Sequence, residues 1–164
     1  MASTNFMAVF TPLQNEPPAT NYATLDTRNS VPVLDFDADT DESAVFGGVL
    51  PNNYAGGGLT ITLVWMATTA TTGDVVWNAD IERHQDDAFD IDADGFAGAN
   101  AATGTTASAS GEQQYTDITF TSGSDMDDLA AGESFRIKIT RDANNASDTM
   151  ANDAELLRVI IKET

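Results

Sequence analysis

The chain has no cysteine, two lysines, one histidine and no long apolar run, and each shortage closes off a class of function. Without cysteine there are no disulfides, no thiolate metal sites and no thiol nucleophile. No apolar stretch approaches the roughly 20 residues that a bilayer-crossing helix needs. The opening residues MASTNFM carry neither a basic n-region nor a long apolar h-region, so no secretory leader is expected. Basic charge is scarcest of all: 7 Lys and Arg stand against 26 Asp and Glu, for a formal charge of −19. Such a field repels nucleic acid and anionic membrane, and neither is expected as a partner. Abundant Asp, Ala and Thr with little Lys also suits a salty medium, where repulsion between carboxylates is screened.

Catalytic machinery is missing as well. The single histidine, His84, could act as a general base only beside a carboxylate such as Asp86 or Asp87, and no Ser or Cys stands in a nucleophile elbow. A glycosidase-type acid pair has no distinguishing mark in a chain so rich in acids. No catalytic residue is assigned, and the chain is read as a non-enzyme with no obligatory cofactor.

What is present is period-two alternation. Phe135, Ile137 and Ile139 alternate with Arg136, Lys138 and Thr140, and Leu157, Val159 and Ile161 with Arg158 and Lys162. Five of the seven basic residues fall in this last stretch, four on the two strands and Arg141 just after the first. Leu59, Ile61, Leu63 and Trp65 give the cleanest strand, and Val75, Trp77, Ala79 and Ile81 another. Residues 31–36, 44–50 and 115–121 complete the pattern, while 97–111 reads as a long loop or a weak strand. One short helical turn is expected near 124–131, with Asp at its positive end and Gly132 as its stop. Seven or eight strands separated by turn signals, in 164 residues, predict one all-β domain: an antiparallel β-sandwich of jelly-roll type spanning 23–164.

Residues 1–22 read as an extended N-terminal arm. Phe6, Met7, Val9, Phe10 and Leu13 are too apolar for a floppy tail, and Pro17-Pro18 sets them off from the body. They either form the first strand of their own sandwich or dock on a neighbour by covering a sheet edge. Asp90, Asp92 and Asp94, followed by Gly95, match the first half of a calcium loop; the twelfth position is Ala101, so the closing ligand is missing. A second ladder, Asp35, Asp37, Asp39, Asp41 and Glu42, has the same spacing and the same gap. Trp65 and Trp77 fall in phase with core positions, which favours burial over a sugar platform. Tyr22, Tyr54 and Tyr115 sit in or near loops and are better placed for exposed contacts.

Several separated blocks, PPATNYATLDTRN at 17–29, DFDADTDESAVFGGVLPNN at 35–53, TTGDVVW at 71–77, LAAGESFRIKITRDA at 129–143 and DAELL at 153–157, resemble a family of small acidic virion proteins of tailed bacteriophages. The resemblance runs from about residue 12 to residue 164. It implies a jelly-roll head decoration (cement) protein on the capsid exterior. Such a protein self-associates as a homotrimer and clamps neighbouring major-capsid subunits, here through Phe6, Met7, Val9, Phe10 and Leu13. The alternative is a carbohydrate-binding or host-adhesion module of a tail or head fibre, with calcium at Asp90, Asp92 and Asp94.

Overall fold

The computed structural model describes residues 5–164. Ten strands run through them: β1 (Phe6–Phe10), β2 (Thr24–Arg28), β3 (Val31–Phe36), β4 (Glu42–Val49), β5 (Leu59–Ala67), β6 (Asp74–His84), β7 (Asn100–Thr105), β8 (Gln114–Phe120), β9 (Ser134–Arg141) and β10 (Ala154–Glu163). One sheet has the order β2-β3-β10-β5-β8, with β1 also paired to β10, and the other has the order β4-β9-β6-β7. From β3 onward the chain changes sheet at every connection except β6 to β7. The nested orders β3-β10-β5-β8 and β4-β9-β6-β7 are two Greek keys, the jelly roll expected from the alternation.

The alternation decides what meets between the sheets. Leu59, Ile61, Leu63 and Trp65 from β5 face Trp77, Ala79 and Ile81 from β6 and Phe135, Ile137 and Ile139 from β9 in one continuous core. Trp65 and Trp77 are fully buried with their rings edge to face at 5.9 Å, so neither forms a platform for a ligand. The Trp65 indole donates to Thr116 Oγ1 at 2.9 Å beneath β7. A side chain at Gly104 would sit 2.2 Å from that hydroxyl oxygen, so the close approach of β7 requires glycine.

In three places along the body the structure departs from the sequence expectation. A bulge between Leu156 and Arg158 shifts the phase of β10 by one residue. Leu156 therefore joins the core, and Leu157 turns outward to pack with Val33, Val64 and Met66 on the outer face of the first sheet. The helical turn expected over 124–131 is a single 3-10 turn, Ser124–Met126; Asp127 and Asp128 then take left-handed backbone angles, which end it early. Tyr54, expected at the surface, is buried, with its hydroxyl donating to Gly57 O.

In its described part, the N-terminal segment is built into the body. β1 pairs with β10, beside the stretch of β10 that pairs with β3. Met7 and Phe10 face the core, and the Phe10 ring stacks on Phe46 at 5.5 Å. These two residues are consequently not free to touch a partner, whereas Phe6, Val9 and Leu13 remain exposed. Residues 15–23 then cross to the free edge of β4. Glu16 N donates to Val45 O, Val45 N to Asn15 Oδ1, Ala23 N to Ser43 O and Ser43 N to Asn21 O. Pro17 and Pro18 interrupt this pairing, so the segment covers the edge of the second sheet without extending it.

Arg141 is the one charged residue that continues the inward row of β9, and it is fully buried. Its five N–H donors are all taken. Nε and Nη2 hold both oxygens of Asp148 (3.1 and 2.8 Å), Nη1 reaches Phe36 O and Asn152 O, and Nη2 also reaches Met150 O. Asp148 Oδ2 accepts Val76 N as well. Replacing Arg141 with Ala would leave the Asp148 carboxylate buried and unpaired, and should lower stability by about 3–5 kcal/mol in urea melts, at the upper end for a single substitution.

Candidate functional site

Two hollows lined by polar side chains lie at one end of the sandwich, where β6 runs out into a long loop. Phe89 N donates to Gln85 O at 3.0 Å, folding the chain back so that the Phe89 ring stacks on His84 with centroids 3.9 Å apart and planes at 19°. Beyond Phe89 a tight turn is closed by Asp94 N donating to Asp90 O (2.8 Å) and Asp90 N donating to Asp94 Oδ2 (2.7 Å). Phe96 then lies over Lys138 and Arg136, whose cations sit 4.8 and 5.3 Å from its ring centre. Ala97 N donates to Ile81 O, which pins the returning chain to β6.

The opposite wall is the turn that follows Ser124–Met126. Arg83 joins the two walls: its backbone N–H donates to Asp127 Oδ2, and its guanidinium grips both oxygens of Glu133 at 2.6 Å. Those bonds hold the Glu133 carboxyl below the usual carboxylate range. Two hollows open on either side of Phe89. One, of about 240 Å³, lies among Arg83, Ala88, Asp94, Asp127 and Asp128. The other, of about 630 Å³, lies among His84, Asp86, Asp87, Glu133 and Ser134, and Gln85 borders both. The site therefore offers the Phe89 ring stacked on the His84 imidazole, the Gln85 amide, the Arg83 guanidinium, the Ser134 hydroxyl and several carboxylates.

Beneath this end the outer face of the second sheet carries a ladder of ion pairs. Glu82, almost fully buried, takes Arg136 Nη2 at 2.6 Å and His84 Nε2 at 3.2 Å on the same oxygen. Asp80 meets Lys138 at 3.4 Å; burial raises its pKa, and Lys138 opposes the shift. His84 is thus held by Glu82 and Phe89; its carboxylate partner is Glu82, in place of the Asp86 or Asp87 expected from the sequence.

The calcium candidates Asp90, Asp92 and Asp94 share one tight turn. Asp90 Oδ1 accepts Asp92 N and Asp94 Oδ2 accepts Asp90 N, so these carboxylates shape their own turn. Among the described residues no group of three or more His, Cys, Asp or Glu is placed to hold a metal ion. The second ladder behaves alike: Glu42 Oε2 accepts Asp37 N, Asp37 Oδ1 accepts Asp39 N, and Asp41 Oδ1 accepts from Asn144. Asx turns use the same short acidic spacing as the first half of a calcium loop. Sequence reasoning did not anticipate Gln85, Phe89, Asp127, Asp128 or Glu133 as neighbours, since their proximity depends on two loops distant in sequence.

No family model matches the chain, and no curated protein matches it. Among solved structures it is similar to an exo-β-1,3-galactanase from Phanerochaete chrysosporium with galactose (9% identity, TM-score 0.51), over 94% of this chain and 29% of that one. The chain therefore spans less than a third of the galactanase. It is also similar to the K3 adhesin domain of Lys-gingipain from Porphyromonas gingivalis (16% identity, TM-score 0.50), over 95% of this chain and 91% of that one. At these identities the likeness is one of fold.

Asp35 gives the chain a pH dependence. It stands on the outer face of the first sheet, opposite Glu155, and its Oδ1 is buried without a partner. Burial, then the negative charges of Glu155, Asp26, Asp153 and Glu42, push its pKa to about 6. A group raised in the folded state stabilises it fully below the unfolded pKa, and that contribution is lost as pH climbs through about 6. Asp35→Asn, which keeps the shape of the neutral acid, should be more stable than the wild type at neutral pH. In urea melts across pH the difference should vanish in acid.

Proposed function

We propose that this chain is a non-catalytic recognition module that binds glycan in the hollows beside Phe89. The observation that carries the reading is the make-up of that site. A single aromatic ring is held rigid against His84, with Gln85, Asp86, Asp87 and Glu133 around it. Carboxylate and amide oxygens accept from sugar hydroxyls, and an aromatic face receives the apolar C–H face of a pyranose. The Arg83–Glu133 clamp and the His84–Phe89 stack fix the site before any ligand arrives, which lowers the ordering cost of binding. The jelly roll is a fold that an adhesin domain also uses, which makes an adhesive role natural and goes no further than fold. A panel of neutral glycans screened on an array should contain ligands for the wild type. Phe89→Ala should weaken them about tenfold, about 1.4 kcal/mol, with the thermal melt unchanged. Wild-type protein that binds no member of the panel would sink the reading.

A second reading, a virion decoration protein on the capsid exterior, is favoured by a different observation: Phe6, Val9 and Leu13 stay exposed on a segment that is otherwise built into the body. Side chains of this kind suit adhesion to a neighbouring subunit, where many modest contacts repeated by symmetry add up. Cryo-electron microscopy of particles that carry the protein should then show it seated on capsomers; density confined to the tail would rule this reading out.

A further inference from the structure

Seven basic residues among 26 acids make each cation's partner informative. Five are paired with carboxylates: Arg28 with Glu155, Arg83 with Glu133, Arg136 with Glu82, Lys138 with Asp80 and Arg141 with Asp148. Among the described residues, Arg158 and Lys162 alone have no acidic partner, and they donate only to Leu157 O and Thr62 Oγ1. Both lie on β10, and with Ile160 between them they face outward, because Val159 and Ile161 face the core.

The same face is apolar. Phe6 lies opposite Lys162 in the β1–β10 pairing, and Val9 lies opposite Ile160. Phe6 is 65% exposed and Val9 49%, with the Lys162 ammonium 5.9 Å from the Phe6 ring centre. Exposed Tyr115 continues the face through Val64, which is opposite Arg158. The acid nearest in register, Asp117, accepts a hydrogen bond from Thr62. A protein of charge −19 thus holds an apolar patch flanked by its two unpaired cations, with the Asp117 carboxylate two strands away beside Tyr115.

A complement to that patch sits elsewhere on the same chain. At the tip of the β6–β7 loop, Ile91 is 73% exposed between Asp90 and Asp92, and the turn beneath it is already closed by its own hydrogen bonds. The tip belongs to the second sheet and the patch to the outer face of the first, so one copy presents both to its neighbours.

We infer that this chain self-associates head to tail, with Asp90, Ile91 and Asp92 of one copy seated on Phe6, Val9 and Ile160 of the next, between Arg158 and Lys162. Ile91 fills the apolar patch while the two carboxylates meet the two unpaired cations, and like-charged faces elsewhere keep other arrangements apart. A contact between two different surfaces closes into a ring when its rotation allows, and extends as a filament otherwise. Asp90, Ile91 and Asp92 do not themselves line the hollows beside Phe89.

The natural absence of cysteine makes a clean test. Val9→Cys and Ile91→Cys proteins, mixed under mild oxidation, should cross-link to one another in preference to either homodimer. In sedimentation, Arg158→Glu with Lys162→Glu should weaken association at least about tenfold. Asp90→Lys with Asp92→Lys, added as a second protein, should restore it. Circular dichroism melts of each variant check that folding is intact. Three results would each overturn the inference: a wild type that is monomeric at every concentration, Val9→Cys homodimers forming as readily as the mixed pair, or a monomer that binds acidic polypeptide such as polyglutamate through the patch.

Discussion

The architecture depends on a buried fork. Arg141 lies where β9 leaves the core, and its guanidinium gathers β3 through Phe36 and the 142–153 connection through Asp148, Met150 and Asn152. That connection leads directly into β10, which pairs with β1 and β3 on one side and β5 on the other. The fork therefore sets where β10 begins and, through it, the register of the first sheet. A planar group with five donors in fixed directions suits this task in a way that an ammonium does not. The cost of desolvating the ion pair is offset because every N–H of the fork is used and both Asp148 oxygens accept hydrogen bonds.

Other cations follow a similar logic on the two outer faces. Arg136 and Lys138 project from β9 between carboxylates of β6 and lie under Phe96, so the ladder, the ring above it and the long loop are held as one unit. Arg28 crosses from β2 to Glu155 and Ala67 O, tying the outermost hairpin of the first sheet to its centre. Surface repulsion in so acidic a chain is thus countered locally, at the points where strands from distant parts of the sequence must stay in register.

How much of this could be read beforehand depended on periodicity. β3, β5, β6, β8 and β9 were legible because one face of each is apolar in strict alternation and that face is the core. β2 was not, since both its faces are largely exposed, and its five residues carry no burial signal. β7, short and built of Ala, Thr and Gly, left only a hint, because its place is set by the small space under Trp65. Leu156 escaped because a bulge shifts the phase, and Arg141 because a charge on an inward row reads as the end of a strand. The hollows beside Phe89 were the least legible feature. They are made by two loops some forty residues apart in sequence, joined by Arg83 through contacts to Asp127 and Glu133 that no spacing rule encodes.

The position of β10 has a bearing on how the protein is made. β1, β3 and β5 all precede it and all hydrogen-bond to it, so a chain emerging from the ribosome carries strands with no central neighbour until the tenth is synthesised. Most native contacts join residues far apart in sequence, a topology that folds slowly and leaves open edges in the meantime. The dense negative charge then acts before any native structure exists, keeping nascent chains apart during the interval in which their unpaired edges would otherwise find one another.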